Sequence, residues 1–448
     1  MAVLTAISEF VEERIVNRKP AVALGIGIHL PVWFVDQVKS SRFQSMMRYA
    51  SEKSPFYRRR FQEAGIDPLV VKTPSDLKDF FTTSEDLHTN AVDEFLCGPA
   101  QIAFETTGTI SSRCKKIFFG LQEMESMARY GAIALMHLGL TPSDRVVSAF
   151  DHSFWVSGPL AREITRIIGC FHVEAGKIEP GEFYDRASEY RFNVVVAEPS
   201  WLLRLSEIAA ARGTWPMKFM VVGGENMTEQ TRDFIEGVWQ ADVIMEYGQT
   251  ESFGAIGVEC LQKNGYHLNE LNFFFEIDQP DADGYGELVY TTLTRRVMPL
   301  IRYRTADVTR FLDGPCACGL PMRRIARIRS RKDEMIVCGM GNISPWIFET
   351  TVGGVSGISA DWQIQVTRPD PALRDHVEFH LELTNGENPA EVTESIRRNL
   401  RSQFSDFWKN YEMGLYELDF KFVPPGTLRR GRKLLRLIDL RRGLVNSQ

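Results

Sequence analysis

Four short segments of the chain gather the residue types that nucleotide chemistry uses. In Glu105-Thr-Thr-Gly-Thr-Ile-Ser-Ser-Arg-Cys-Lys-Lys116, hydroxyls and backbone N–H groups around Gly108 suit an anion, and two lysines follow to neutralise its charge. This is a phosphate-loop composition without the Gly-Lys-Ser ending of a Walker A loop. Val221-Val-Gly-Gly-Glu225 and Met245-Glu-Tyr-Gly-Gln-Thr-Glu251 each follow an apolar run, which places them just past the carboxyl end of a strand, where open α/β sheets bind ligands. There Gly223 and Gly224 allow close approach to a flat ring, Tyr247 can stack on it, Thr250 can hold a phosphate and Glu251 can ligate Mg²⁺. Ile301-Arg-Tyr-Arg-Thr-Ala-Asp307 alternates and ends in a carboxylate suited to both hydroxyls of a ribose.

A second grouping suits a metal. Cys260, His267, Cys316 and Cys318 offer three thiolates and an imidazole, the donor set of tetrahedral structural zinc, with Cys-x-Cys in place of the commoner Cys-x₂-Cys. Such a site has no open ligand position, so its expected role is to stabilise. Seven cysteines, an odd number scattered through a long chain, argue against a secreted disulfide framework.

The elements that must position these groups fall into two patterns. Residues 1 to about 90 carry helical periodicity broken by Pro31, Pro55 and Pro68, a helical cover for the main sheet. From about 100 to 325, apolar runs such as Arg145 to Phe150, Asn193 to Ala197, Phe219 to Val222 and Val243 to Met245 alternate with helical stretches, which predicts a parallel sheet covered on both faces. Gly286 to Thr292 alternates as an antiparallel strand does. Beyond about 333 the pattern restarts, with strands expected at Trp362 to Thr367, His376 to Leu383 and Tyr416 to Val423 and a helix at Pro389 to Trp408. The expected architecture is α/β: a large domain over 1–332 with parallel and mixed sheets covered by helices, and a small, mobile α+β domain over 333–448.

In this order and spacing the segments resemble the adenylate-forming (acyl-CoA synthetase) superfamily, and within it the phenylacetate-CoA ligase-like branch. The matching positions are Thr107-Gly108-Thr109, Gly224-Glu225, Tyr247-Gly248-Gln249-Thr250-Glu251, Tyr303-Arg304-Thr305-Ala306-Asp307 and Arg331-Lys332-Asp333, with Ser54-Pro55-Phe56-Tyr57 typical of the branch. The resemblance implies that Tyr247 and Gly224 border adenine, Thr250 contacts the α-phosphate, Glu251 helps hold Mg²⁺, and Asp307 and Arg331 bind the ribose. It also implies a hinge at Asp333 and, in Gly431-Arg432-Lys433, a catalytic lysine, Lys433, that reaches the carboxylate and the α-phosphate. Phe150-Asp-His-Ser-Phe-Trp155 is similar to the segment lining the acyl pocket, where Phe150, Phe154 and Trp155 favour a flat aromatic acid and His152 can bond a ring substituent. The chain departs from the pattern at Ile110, Ser111 and Arg113 in the phosphate loop, at Arg432, and at Cys338, where the family carries arginine.

The function expected from this is ATP-dependent activation of a carboxylic acid to an acyl-adenylate, then transfer to the CoA thiol. One alternative is a natural-product enzyme that transfers to a carrier protein, an amine or a hydroxyl. A second is an inactive nucleotide-binding scaffold, against which stand Thr250, Glu251, Asp307 and Lys433. Expected cofactors are ATP, Mg²⁺, CoA and structural Zn²⁺; the expected partner is a small-molecule acid, with a homodimer left open. A net charge of −6 gives no drive towards nucleic acid, the basic run Arg429 to Arg442 reads as a solvated face, and no run approaches the ~20 apolar residues of a membrane span. The first residues lack the basic start and cleavage site of a signal peptide, and the expected location is cytoplasmic.

Overall fold

The computed structural model describes residues 20–27, 30–106, 114–176, 178–227, 229–332, 336–338, 341–368, 375–384, 386–429 and 434–442. Thr107, Gly108, Thr109, Asp333 and Lys433 therefore lie outside the described residues. The chain divides into two compact units, one of residues 1–226 with 234–327, the other of 227–233 with 328–448.

In the first unit, nine strands among the described residues form one sheet. Five of them, in the order Phe171–Glu174, Arg145–Ser148, Val194–Ala197, Phe219–Val222 and Asp242–Gln249, run parallel. Val194–Ala197 and Phe219–Val222 are buried at every position, as strands covered on both faces must be. Helices Ser157–Ile168, Pro180–Tyr190, Pro199–Arg212 and Glu229–Trp239 link them in the strand-helix-strand manner that parallel pairing requires. Asp242–Gln249 then turns back antiparallel into Gly254–Glu259, and the sheet continues through Tyr266–Leu268. Beside it, Phe273–Asp278, Gly286–Thr292 and Tyr303–Thr309 pair antiparallel in sequence. The architecture is α/β with parallel and mixed sheets.

One expectation needs correcting. The segment Tyr247 to Gln249 is not past the end of its strand but within it, because Asp242–Gln249 continues beyond the apolar run and finds hydrogen-bond partners in Gly254–Glu259. The chain leaves the ladder only at the short 3₁₀ turn Thr250–Ser252, closed by Phe253 at φ 64°.

The N-terminal helices Val32–Lys53 and Pro55–Glu63 meet at Ser54, whose side chain caps the second helix through the Tyr57 N–H while Pro55 takes its first position, where a missing N–H costs nothing. In the second unit, Ile358–Thr367 pairs antiparallel with Asp375–Leu383, which pairs parallel with Tyr416–Val423. The helix Pro389–Gln403 bridges the latter two and buries Val392, Ile396 and Leu400 on one face. Each such side chain contributes about 1.5–3 kcal/mol on removal from water. No helix among the described residues is long and apolar enough to cross a membrane.

Candidate active site

The segment Tyr247 to Glu251 brings two carboxylates together. Tyr247 donates its hydroxyl to Asp307 Oδ2 at 2.6 Å, and Gln249 donates Nε2 to the same oxygen at 2.5 Å. At the other end of the segment Glu251 Oε1 accepts the Tyr303 hydroxyl at 2.8 Å and stands 2.5 Å from Lys115 Nζ. Asp307 and Tyr303 both lie on Tyr303–Thr309, so one strand-and-turn segment and one strand carry both carboxylate centres.

That strand is held in an uncommon shape. Ala306 has φ 65° and Arg302 φ 46°, a left-handed backbone that costs a non-glycine residue free energy. The buried Glu287 compensates by accepting the Ala306 N–H at 3.0 Å and the Arg304 guanidinium at 2.8 Å, beside a register shift in the pairing with Gly286–Thr292. The Thr305 hydroxyl donates to Leu288 O and accepts the Asp307 N–H at 3.0 Å, which fixes the aspartate's direction. From below, Ser54-Pro55-Phe56-Tyr57 supplies the fully buried Tyr57, whose hydroxyl accepts the Ile301 N–H and bonds Thr82, each at 2.9 Å. Thr82 in turn bonds the backbone on both sides of Tyr303. The motif near the N-terminus thus positions Tyr303.

Glu251 is buried, which alone would raise its pKa; the adjacent Lys115, its own backbone N–H and the Tyr303 hydroxyl outweigh burial and hold the carboxyl below its ordinary range. An ionised, buried carboxylate has the charge that a Mg²⁺ ligand needs, and here the Lys115 ammonium takes it up. Lys115 was legible only as a charge near the phosphate loop; its partner, 136 positions away in sequence (251 − 115), was not. The strands that flank the phosphate-loop segment are joined by Thr106 N–H to Lys115 O at 3.0 Å and Lys115 N–H to Thr106 Oγ1 at 3.1 Å, and Lys115 is the residue that stands against Glu251.

Other candidates occupy the carboxyl ends of the neighbouring parallel strands. Gly224, at φ 82°, follows Phe219–Val222, and Glu225 accepts the Ser200 N–H at 3.2 Å. Gly248 has no room for a Cβ, because the Gly254 carbonyl occupies that place across the ladder. Phe150 is buried, Trp155 half-buried and Phe154 63% exposed. His152 stands 3.3 Å from Glu174, and burial lowers its pKa against the pull of that carboxylate. The loop is tied to the phosphate-loop strand by Glu105 N–H to Phe154 O at 2.9 Å. Arg331 lies in the other compact unit, on Ser330–Arg331. In the same unit Arg429 pairs with the buried Asp361 at 2.9 Å, and Arg436 donates to Ala360 O at 2.7 Å.

Away from this site, the donor atoms of Cys260, His267, Cys316 and Cys318 lie within 4.8 Å of one another, with Cys260 and Cys316 sulfurs 3.6 Å apart and Cys318 Sγ 3.3 Å from His267 Nε2. Tetrahedral zinc with Zn–S bonds of ~2.3 Å requires sulfurs about 3.8 Å apart, so the set fits that ion.

A nine-stranded sheet with candidate nucleotide-binding groups towards its carboxyl ends, an antiparallel sheet and a small α+β unit later in the chain are the architecture that the resemblance to the adenylate-forming superfamily implies. The chain's fold matches a 2-hydroxyisobutyryl-CoA ligase bound to 2-HIB-AMP at TM-score 0.75 and 21% identity, over 90% of this chain and 88% of that one. An anthranilate CoA ligase in complex with anthranoyl-AMP matches at TM-score 0.58 and 14% identity, over 75% and 65% of the two chains. No family model matches the chain. In sequence the chain is similar to the phenylacetate-CoA ligases: it is 27% identical to the phenylacetate-coenzyme A ligase of Escherichia coli (strain K12) over 429 residues, 90% of this chain and 94% of that protein. The enzyme of that name from Thermus thermophilus is 27% identical over 435 residues, 90% and 96% of the two.

Proposed function

We propose that the chain activates a carboxylic acid with ATP and passes the acyl group to the CoA thiol. The observation that carries the reading is the convergence of Asp307 and Glu251 on the one segment Tyr247 to Glu251, with the phosphate-loop stem against Glu251. The phenylacetate-coenzyme A ligases among its relatives support the same chemistry.

In the first step a carboxylate oxygen of the acid attacks the α-phosphorus and pyrophosphate leaves, which gives the acyl-adenylate. Asp307 accepts the ribose hydroxyls, oriented by Tyr247 and Gln249, while Thr250 faces the α-phosphate and Gly224 and Tyr247 border the adenine. Glu251 would hold Mg²⁺, which when bound neutralises phosphate charge. Lys433 approaches the carboxylate and the α-phosphate, where negative charge grows in the transition state. In the second step the CoA thiolate attacks the acyl carbon and AMP leaves with one oxygen of the original carboxylate. Rotation of the small domain about Asp333 separates the two steps. Phe150, Phe154 and Trp155 suit a flat aromatic acid, and Cys260, His267, Cys316 and Cys318 would hold a structural zinc.

ATP/pyrophosphate exchange across aromatic and aliphatic acids tests the reading. At least one acid should support exchange, and Lys433→Ala should lower it by ~10² or more. Exchange at background for every acid contradicts it. Mass spectrometry of products with and without CoA separates the acceptors: acyl-AMP that accumulates without acyl-CoA would assign the second step to another nucleophile.

A further inference from the structure

Glu246 has no part in the arrangement above, yet it sits inside the segment that carries it. The parallel register sets Val222 beside Met245, so Gly223 stands next to Glu246 at the following position. A Cβ on Gly223 would fall on Glu246 Oε1 and 2.7 Å from its Cγ. The carboxyl group is therefore folded over the Gly223 backbone, in space that any other residue type there would fill. Strand alternation turns Glu246 to the face opposite Tyr247, whose ring and hydroxyl go to Tyr266 and Asp307.

The carboxyl lacks what a buried acid normally has. Its Oε2 is enclosed with no hydrogen-bond partner among the described residues, while the residue as a whole is half-buried. Burial pushes the group up to about 7. Buried polar groups are nearly always bonded, and a native exception calls for a partner that arrives from outside the chain.

The place narrows the choice of partner. Gln249, three residues on, pairs with Gly254. A Cβ on Gly254 would strike Leu160 Cδ2, on the helix Ser157–Ile168 that follows the aromatic loop Phe150 to Trp155. That helix, which continues from the aromatic loop, therefore packs on the neighbouring strand at the point where the Glu246 strand ends.

We propose that Glu246 selects the acid, accepting a hydrogen bond from an amino or hydroxyl substituent on the tail of the carboxylic acid. This rests on the adenylation reading above and adds to it the substrate class: acids that carry a donor, in preference to unsubstituted acids of the same shape. Gly223 is part of the device, since its missing side chain makes room for the carboxyl.

Pyrophosphate exchange tests it with ring isomers of aminobenzoate, hydroxybenzoate and methylbenzoate, phenylacetate with its amino and hydroxy forms, and short aliphatic hydroxy and amino acids with their methyl counterparts. Wild type should favour a donor-bearing acid over its methyl isostere by about tenfold or more in kcat/KM. Glu246→Leu should abolish or invert that preference, and Gly223→Ala, which displaces the carboxyl, should weaken it. The KM for ATP should stay within about twofold in Glu246→Leu, which should melt no lower than wild type because it removes an isolated buried acid. Should Glu246→Leu fail to fold, Glu246→Gln and Gly223→Ala carry the test.

A wild type that exchanges yet shows no preference for donors overturns the proposal and leaves the adenylation reading intact. So does an unchanged preference in the variants. A third contrary result is a Glu246→Leu enzyme that loses discrimination between ATP and ITP, which would make the adenine amino group the partner. Exchange with no acid at all sinks the adenylation reading and this inference with it.

Discussion

Replacing Lys115 with methionine isolates the energetics of the site. The ammonium is 2.5 Å from Glu251 Oε1, and the two side chains are only 14% and 7% exposed. Removing one partner of a buried pair costs roughly 3–5 kcal/mol, because the other charge stays buried without compensation. Glu251 would keep the 2.8 Å bond from Tyr303, worth about 1 kcal/mol, so the expected loss is about 2–4 kcal/mol near pH 8. The pH dependence is more telling. In wild type the Glu251 carboxyl is held below its ordinary value by Lys115 against burial, so its contribution is present above the unfolded value of ~4.3 and is lost as pH falls through the folded value. Without Lys115 burial dominates and the folded value rises, so the variant loses stability as pH rises. The difference between the two proteins should therefore grow from under about 1 kcal/mol near pH 4 to the full 2–4 kcal/mol at pH 8. Guanidinium unfolding at both pH values, with chelator and without ATP, measures it. Equal differences at the two pH values would refute the assignment of Lys115 to Glu251.

Further outcomes follow from other contacts. Tyr247→Phe removes the 2.6 Å bond to Asp307 and should raise the KM for ATP about five- to tenfold with little loss of kcat, whereas Asp307→Ala should raise it further; equal KM values would detach Asp307 from the nucleotide. Asp361→Asn loosens the Arg429 anchor before Lys433 and should lower kcat of exchange about tenfold while the KM for ATP holds, as steady-state kinetics would register. Elemental analysis should find about one zinc per chain in the purified protein, and Cys318→Ser should lower both that content and the melting temperature; full stability without metal would leave the four donors as reduced thiols and an imidazole.

What the sequence made legible were features set by local pattern. Tyr416–Val423 and Gly286–Thr292 appear at the boundaries their alternation predicts, and the run at Val194–Ala197 is apolar because both its faces are covered. What it concealed depends on partners distant in the chain. The helix read as continuous from Pro389 to Trp408 breaks at Phe404, at φ −129° and ψ 65°, where the ring packs edge-on against Trp346 at 5.1 Å. Strand Asp242–Gln249 outruns its apolar core because Gly254–Glu259 pairs with its polar end. Tyr247, Glu251 and Asp307, which the fold brings onto one segment and one strand, were readable as candidates from motif spacing. Lys115, Gln249 and Glu246 were not, since each takes its meaning from a contact or a missing contact across strands. Among the described residues of the basic run, Arg429 pairs with Asp361 and Arg441 with Asp375 and Asp439, all within the same unit.

The most direct test of acyl-adenylate chemistry follows an oxygen atom. With an accepted acid labelled by ¹⁸O in its carboxylate, turnover in the presence of CoA should yield AMP carrying a single labelled oxygen. AMP without label, with the isotope retained in the acyl product or released to another phosphate species, would contradict the account.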